Sequence, residues 1–447
     1  MEKVTIVGAG LVGSMQALAL ARRGFEVHVY ERRDDIRKAN LYQGRSINLA
    51  LSNRGWKALE AVGLGEDVTR IAIPMYKRTM HPISGDLYYQ PYGREGEAIF
   101  SVSRGHLNRL MLTKAAEHPG VHLHFNHRCQ DVNLEKNTIS FTNELNGQEV
   151  QVNYDALLGT DGAFSAVRHR LMFRDRFNYQ QFYIPHGYKE LNLNSRPDGS
   201  HALEKESLHI WPRKEYMLIA LPNLDGSFTC TLFFPFEGKP SFESLGNDEA
   251  IQEFFSEVFP DFFTLMPDLV EQYHQNPTSS LVTVKCAPWN FEDRVLLMGD
   301  AAHAIVPFYG QGMNAGFEDV RLFMERIDAA GGNIRSCIPD FARSRKPDGD
   351  AIADLALHNF IEMRDKTADP SFLLQKKIEG RFFERHPDKW IPLYSMVTFS
   401  HIPYSEAWER GMKQDALMQR ILAMPGIEEK WDSDEVEMEM LRLAAEL

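Results

Sequence analysis

Residues Val4 to Arg32 read VTIVGAGLVGSMQALALARRGFEVHVYER, with Gly8, Gly10 and Gly13 spaced as GxGxxG. Glycines at these points permit a tight turn, close approach of the backbone to a pyrophosphate and tight packing of the helix that follows. The start of that helix offers free N–H groups and a partial positive charge. Glu31 stands at the end of the second apolar run, roughly 20 residues on, where a carboxylate suits ribose hydroxyls. A merely tight strand-helix turn explains the glycines but not the acid, so the stretch predicts an adenine dinucleotide site. It does not separate NAD from FAD.

Two further stretches have the same strand, turn and helix logic. LLGTDGAFSAVRHRL, residues 157 to 171, sets Asp161 and Gly162 after an apolar run, where the acid either supports a ligand or caps the next helix. GDAAHAIVPFYGQGMN, residues 299 to 314, follows Val295 to Met298 and combines Asp300 at a strand end with Gly310-Gln311-Gly312 at a helix start. Backbone donors at such a start can face an anion or a carbonyl. His303 titrates in the range of a general base. Its place beside Asp300 favours a structural hydrogen-bonding role instead.

The elements that must hold these groups follow from the hydrophobic pattern. From Lys3 to about Met172, strands alternate with helices in an α/β pattern, interrupted by a hairpin around Met75 to Tyr92 that falls within 73–97. From about Phe177 to Trp289 the chain is rich in aromatic and β-branched strands and reads as a separate antiparallel sheet. The α/β pattern returns at Val295, and a mainly helical stretch leads to an acidic amphipathic end from Asp432. The expected division is therefore 1–176 as a dinucleotide-binding domain, 177–289 as an inserted sheet domain, 290–340 as a return to the first, and 341–447 as a helical region.

Forty-nine basic against 62 acidic residues, a formal charge of −13 and no basic cluster exclude a nucleic-acid binder. Cys129, Cys230, Cys286 and Cys337 are scattered without CxxC pairs or zinc-type histidine spacing, so reduced thiols and no metal are expected. No apolar run long enough to span a bilayer and no cleaved leader is visible, which points to the cytoplasm.

In this order the three motifs resemble those of the class A flavoprotein aromatic hydroxylases, the family that includes p-hydroxybenzoate hydroxylase. From about Lys3 to about Arg410 the chain is similar to the branch of that family that hydroxylates L-kynurenine. The stretches that carry the likeness are GRSINLALSNRG, RTMHP, QPYGR, SVSRGHLNRL, IPHGYKEL, LHIWPR, IALPN, FTCTLF, GDAAHAIVPFYGQGMNAGFED, HNFIEMRD and IPLYSMVTFS. The resemblance implies a Rossmann-like FAD-binding domain of the aromatic-hydroxylase type, with an inserted antiparallel-sheet substrate domain and a C-terminal helical region. It also implies NADPH as reductant, oxygen adding at flavin C4a to give a hydroperoxide, and 3-hydroxy-L-kynurenine as product, a step of tryptophan degradation.

The same resemblance assigns residues. Gly8, Gly10, Val12, Gly13, Glu31, Arg32 and Arg33 fall at the dinucleotide, Ala50, Arg104 and Asp161 at further FAD contacts, and Asp300 at the ribityl-phosphate portion. Gly312, Met313 and Asn314 would face the isoalloxazine edge. Arg78 and Tyr92 match a carboxylate-binding pair, with Asn359 and Tyr394 completing the polar end. Arginine can grip a carboxylate bidentately, and a phenol adds a directional bond. Ile219, Leu221, Phe233, Phe308, Tyr309 and Met363 are the candidates for the ring slot, although periodicity alone makes them core residues. No histidine or carboxylate presents itself as a catalytic base, and no separate nicotinamide domain is visible. The C-terminal DSDEVEMEMLRLAAEL replaces the apolar membrane anchor of eukaryotic members. A related hydroxylase of another aromatic substrate, or a non-catalytic binding protein on an FAD scaffold, is the alternative reading.

Overall fold

The computed structural model describes residues 2–38, 48–362 and 369–447. Its first sheet runs in the order Asn290–Phe291, Val295–Leu297, Ala156–Gly159, Lys3–Val7, Glu26–Tyr30, Val121–His124, and all but the first of these strands are parallel. The central strands VTIV, ALLG and VLL are continuous apolar runs because both faces of a parallel sheet are covered. The helix Leu11–Ala21 packs against both Arg104–Ala116 and Gly312–Ala329. A three-stranded antiparallel meander, His127–Asn133, Thr138–Asn143 and Glu149–Asn153, adjoins the sheet, with Phe141 stacked on Tyr30 at 4.1 Å. Sequence reading merged this meander into the α/β pattern, since its outward residues are mostly polar and mask its short apolar alternation.

A second, seven-stranded sheet follows the order Thr278–Ala287, Asn178–Leu193, Phe228–Pro235, Tyr216–Pro222, Ser207–Arg213, Lys77–Met80, Tyr88–Pro91. The last two strands are the expected hairpin, and Lys77–Met80 joins the sheet in parallel, with Arg78 opposite Leu208. Ala72–Met75, just before it, pairs instead with Ile99–Ser103. The 73–97 stretch thus ties the seven-stranded sheet to a small antiparallel sheet of Asn48–Leu51, Ile99–Ser103 and Ala72–Met75.

The reading of 177–289 as strands passed over three helices, Asp248–Val258, Pro260–Leu265 and Leu269–Gln275. Their signal was present: the Asn247 side chain accepts the Ala250 N–H at 2.9 Å as an N-cap, and Ile251, Phe254 and Phe255 recur at helical spacing. They bury Phe255, Phe259 and Phe262 with Trp211, Phe228 and Phe234 in the core of the second sheet.

At 340 the chain has no break, because the helix Ile334–Ile361 runs through it. Ile334, Ile338 and Phe341 pack into the core of the parallel sheet, and Ile352, Leu355 and Ala356 into a core with Phe233 and Phe308. One helix therefore serves two cores. Among the described residues no helix is long and apolar enough to cross a membrane.

Candidate active site

The glycine turn is closed so tightly that side chains would not fit. A Cβ on Gly13 would lie 1.9 Å from the Gly8 carbonyl oxygen, and Gly8 has φ +98° with Thr160 O 2.7 Å from where its Cβ would be. A Cβ on Gly10, by contrast, would meet nothing within 4 Å, so the open side of the turn lies there. Glu31 accepts the Ala9 N–H at 2.8 Å through one carboxylate oxygen and the Arg33 N–H at 2.9 Å through the other. Arg32 and Arg33 are exposed. Asn108 donates to the Ala9 carbonyl at 3.1 Å, and Val12 lies against Gly299 and Gly316.

Ser165 caps the helix Ala166–Leu171, and Asp161 adds a bond from the Ala166 N–H at 2.7 Å. Among the described residues Asp161 Oδ1 is buried without a hydrogen-bond partner, and burial pushes the carboxyl pKa up. Both readings of this residue therefore survive. Asp300 is exposed at the start of Asp300–His303, and no hydrogen bond to its side chain occurs among the described residues. Arg104, at the start of its helix, is exposed too.

The helix Gly312–Ala329 makes its first internal bond from the Ala315 N–H to Gln311 O at 2.8 Å, leaving the three N–H groups before it without intrahelical acceptors. The Asn314 side chain locks this start in place. It donates to Ala50 O at 2.9 Å and to Gly310 O at 2.8 Å, and accepts the Ser52 N–H at 2.9 Å.

Behind this turn lies a buried ionic network. His303 Nε2 is 2.6 Å from Asp319, whose carboxylate also accepts from Arg345 at 2.9 Å and from the Gly299 N–H at 3.1 Å. Arg345 reaches Glu318 at 2.8 Å, and Glu318 meets Arg54 at 3.0 Å. Arg54 also donates to Val397 O and Ile402 O and lies 4.0 Å over the Tyr404 ring. Burial works against each charge, but the partners outweigh it. The His303 pKa is raised by Asp319, and those of Asp319 and Glu318 are lowered by their cationic neighbours. His303 is thus fully committed to structure.

Across from the turn, the second sheet presents Arg78 between two aromatic faces, with its guanidinium 4.5 Å over Tyr92 and 4.6 Å over Tyr394. Among the described residues no carboxylate pairs with Arg78. Among the described residues the buried Tyr92 hydroxyl has no partner in hydrogen-bond geometry, and its charged neighbour is Arg78. Tyr394 stacks between Tyr92 at 5.9 Å and Tyr309 at 5.6 Å. Ile219 and Leu221 pack with Tyr92 and Tyr394. Phe308 lies 5.0 Å from Phe233 and 4.3 Å from Phe360, and Asn359 donates to Phe308 O at 2.8 Å. The structure so brings together every expected slot residue except Met363, which lies outside the described residues.

Residues 1–330 match a family described as an FAD binding domain. The chain is 53% identical over 441 residues to a kynurenine 3-monooxygenase of Flavobacterium johnsoniae, covering 99% of this chain and 98% of the relative. It belongs to the kynurenine 3-monooxygenase family. A relative of that name from Sus scrofa is 44% identical and covers 94% of this chain and 88% of its own. Among solved structures, 2-methyl-3-hydroxypyridine-5-carboxylic acid oxygenase superposes with a TM-score of 0.67 at 18% identity, covering 83% of this chain and 95% of that one. Pseudomonas aeruginosa PqsL, solved with 2-aminobenzoylacetate, gives 0.66 at 20% identity, covering 81% and 97%. These two share the fold.

FAD suits the residues present. The glycine turn has no room for side chains on its inner side and open space at Gly10, and among the described residues a buried oxygen of Asp161 has no hydrogen-bond partner. Helix-start N–H groups add donors beside them. What sequence reading missed in this member of the family is the network of Arg54, Glu318, Asp319 and Arg345. Its signal was the acid pair Glu318-Asp319 set between Phe317 and Val320, where unpaired charges would not be buried.

Proposed function

We propose that this protein is an FAD- and NADPH-dependent monooxygenase that hydroxylates L-kynurenine to 3-hydroxy-L-kynurenine with molecular oxygen. One observation carries the choice of substrate: Arg78, sandwiched by tyrosine faces and without an acid among the described residues, stands beside the buried Tyr92 hydroxyl at the end of an aromatic slot. A half-buried guanidinium without a counter-charge is costly unless a ligand supplies one. An amino acid with an aromatic side chain supplies both the carboxylate and the ring.

Gly8, Gly10 and Gly13 let the backbone approach the pyrophosphate, and Glu31 both holds the Ala9 N–H and offers remaining lone pairs to the ribose. Asp300 would accept from ribityl hydroxyls, and the N–H groups of Gly312, Met313 and Asn314 would offer donors to the ring's carbonyl edge. Bound FAD supplies hydride acceptance from NADPH and oxygen activation. Arg78 takes the substrate carboxylate bidentately, Tyr92 donates its O–H to it, and Tyr394 holds both in place by stacking. Asn359 fixes Phe308, which with Ile219, Leu221, Phe233 and Tyr309 confines the aniline ring and excludes water. None of these wall residues is an acid or an imidazole. The substrate's amino group, ortho to the carbon that is hydroxylated, activates the ring without one. Four free thiols suit a cytoplasmic setting.

Aerobic NADPH oxidation against a panel of kynurenine and related aromatics, with mass detection of products, tests this reading. Kynurenine should give a product heavier by one oxygen. Peroxide release without that product would overturn the substrate assignment.

A further inference from the structure

At the edge of the parallel sheet is a cluster that the hydroxylation does not use. The strands Glu26–Tyr30 and Val121–His124 are parallel, with His28 opposite His122 and Tyr30 opposite His124. Strand alternation therefore puts Glu26, His28, His122 and His124 on one face. The nearest ligand atoms of Glu26, His28 and His122 all lie within 4.8 Å of one another. His28 Nε2 is 2.9 Å from Glu26 Oε1, and its Nδ1 is 3.2 Å from His124 Nε2.

We propose that Glu26, His28 and His122 bind a divalent first-row transition ion such as zinc, with His124 accepting the Nδ1–H of His28 from the side away from the ion. Two imidazoles and a carboxylate form a donor set that zinc takes, leaving a position for water. Metal bonds of about 2.0–2.2 Å require the three ligand atoms to close by little more than 1 Å. His122 is exposed and Glu26 about half so, which supplies that freedom and an entry path.

The second shell is already built. A metal-bound histidine gives its other ring N–H to an acceptor that fixes its tautomer. His124 fills that place: its Nε2 lies 3.2 Å from His28 Nδ1, and its ring is held by stacking on Tyr30 at 4.4 Å. Lys3, opposite Glu26 on the next strand, is the cation with which the metal competes. The three ligands lie toward the N-terminal half of their strands, whereas Glu31 and the glycine turn lie at the C-terminal ends, which only His124 reaches, its carbonyl accepting the Glu31 N–H at 2.9 Å. The ion therefore clips the edge strand to its neighbour and leaves the flavin site alone.

The test uses FAD-loaded protein in metal-free buffer, titrated calorimetrically with zinc chloride and melted with and without the ion. We expect one zinc per chain and a higher Tm with zinc but not magnesium, which prefers oxygen ligands. His122→Ala should weaken zinc at least tenfold, and His124→Phe, which keeps the stack but loses the acceptor, about 10- to 100-fold. Both variants should retain FAD content and turnover, which separates loss of the ligand from loss of the fold. Absence of saturable one-to-one binding, or wild-type affinity in His122→Ala, would overturn the site; wild-type affinity in His124→Phe would overturn the role of His124.

Discussion

Replacing Tyr92 by phenylalanine separates the two jobs a buried phenol can have. Among the described residues the hydroxyl is buried without a hydrogen-bond partner, and the ring is held between Arg78 and Tyr394. An unsatisfied buried polar group costs about 1–3 kcal/mol, so Tyr92→Phe, which keeps the ring, should leave Tm unchanged or raise it. In the substrate complex the same hydroxyl donates to a carboxylate, and a hydrogen bond to a charged group contributes about 1.5–3 kcal/mol. That corresponds to a roughly 10- to 150-fold rise in the kynurenine Kd, at 1.4 kcal/mol per factor of ten. Binding and stability should thus move in opposite directions. Thermal melting of the FAD-loaded variant and titration of kynurenine by flavin absorbance measure the two effects. The control is a decarboxylated kynurenine, whose Kd should not respond to the substitution. An unchanged kynurenine Kd, or an equal loss for the decarboxylated analogue, would refute the assignment of Tyr92 to the carboxylate.

Three other outcomes follow from the same geometry. Arg78→Met should weaken kynurenine by at least 100-fold, about 3 kcal/mol for a lost charge-assisted grip, while flavin content measured by absorbance stays at one per chain. Gly13→Ala should yield colourless protein, because its methyl group would sit 1.9 Å from the Gly8 carbonyl. The raised His303 pKa means that its ion pair with Asp319 stabilises fully below the ordinary histidine range, and that this contribution is lost as pH rises through the folded-state value. His303→Asn should therefore lower Tm most at low pH and least at high pH, as read by melting curves across pH 5 to 9 at roughly constant salt.

Local rules made a large part of this protein legible. The glycine turn, Glu31 and the two later acids announce themselves because each sits where an apolar run ends, and such patterns are set by backbone conformation within a few residues. The three helices at 248–275 were lost to a local error of weighting, since their aromatic residues were read as strand formers although a cap and helical spacing were present. The boundary at 340 was misplaced for another reason: a helix that packs on two cores has no sequence break between them.

Sequence by itself determined the α/β start, the dinucleotide turn and the identity of the groups available for chemistry, because these depend on neighbours along the chain. Tertiary structure alone decided which of those groups meet. Arg78 faces Tyr394, more than three hundred residues away, because a short strand from the first domain pairs with Ser207–Arg213 of the second sheet. Arg54 can be buried because it meets Glu318 across the molecule, and Glu318 because Arg54 and Arg345 both reach it. Glu26, His28 and His122 converge through the register of two parallel strands, and no spacing along the chain encodes that register.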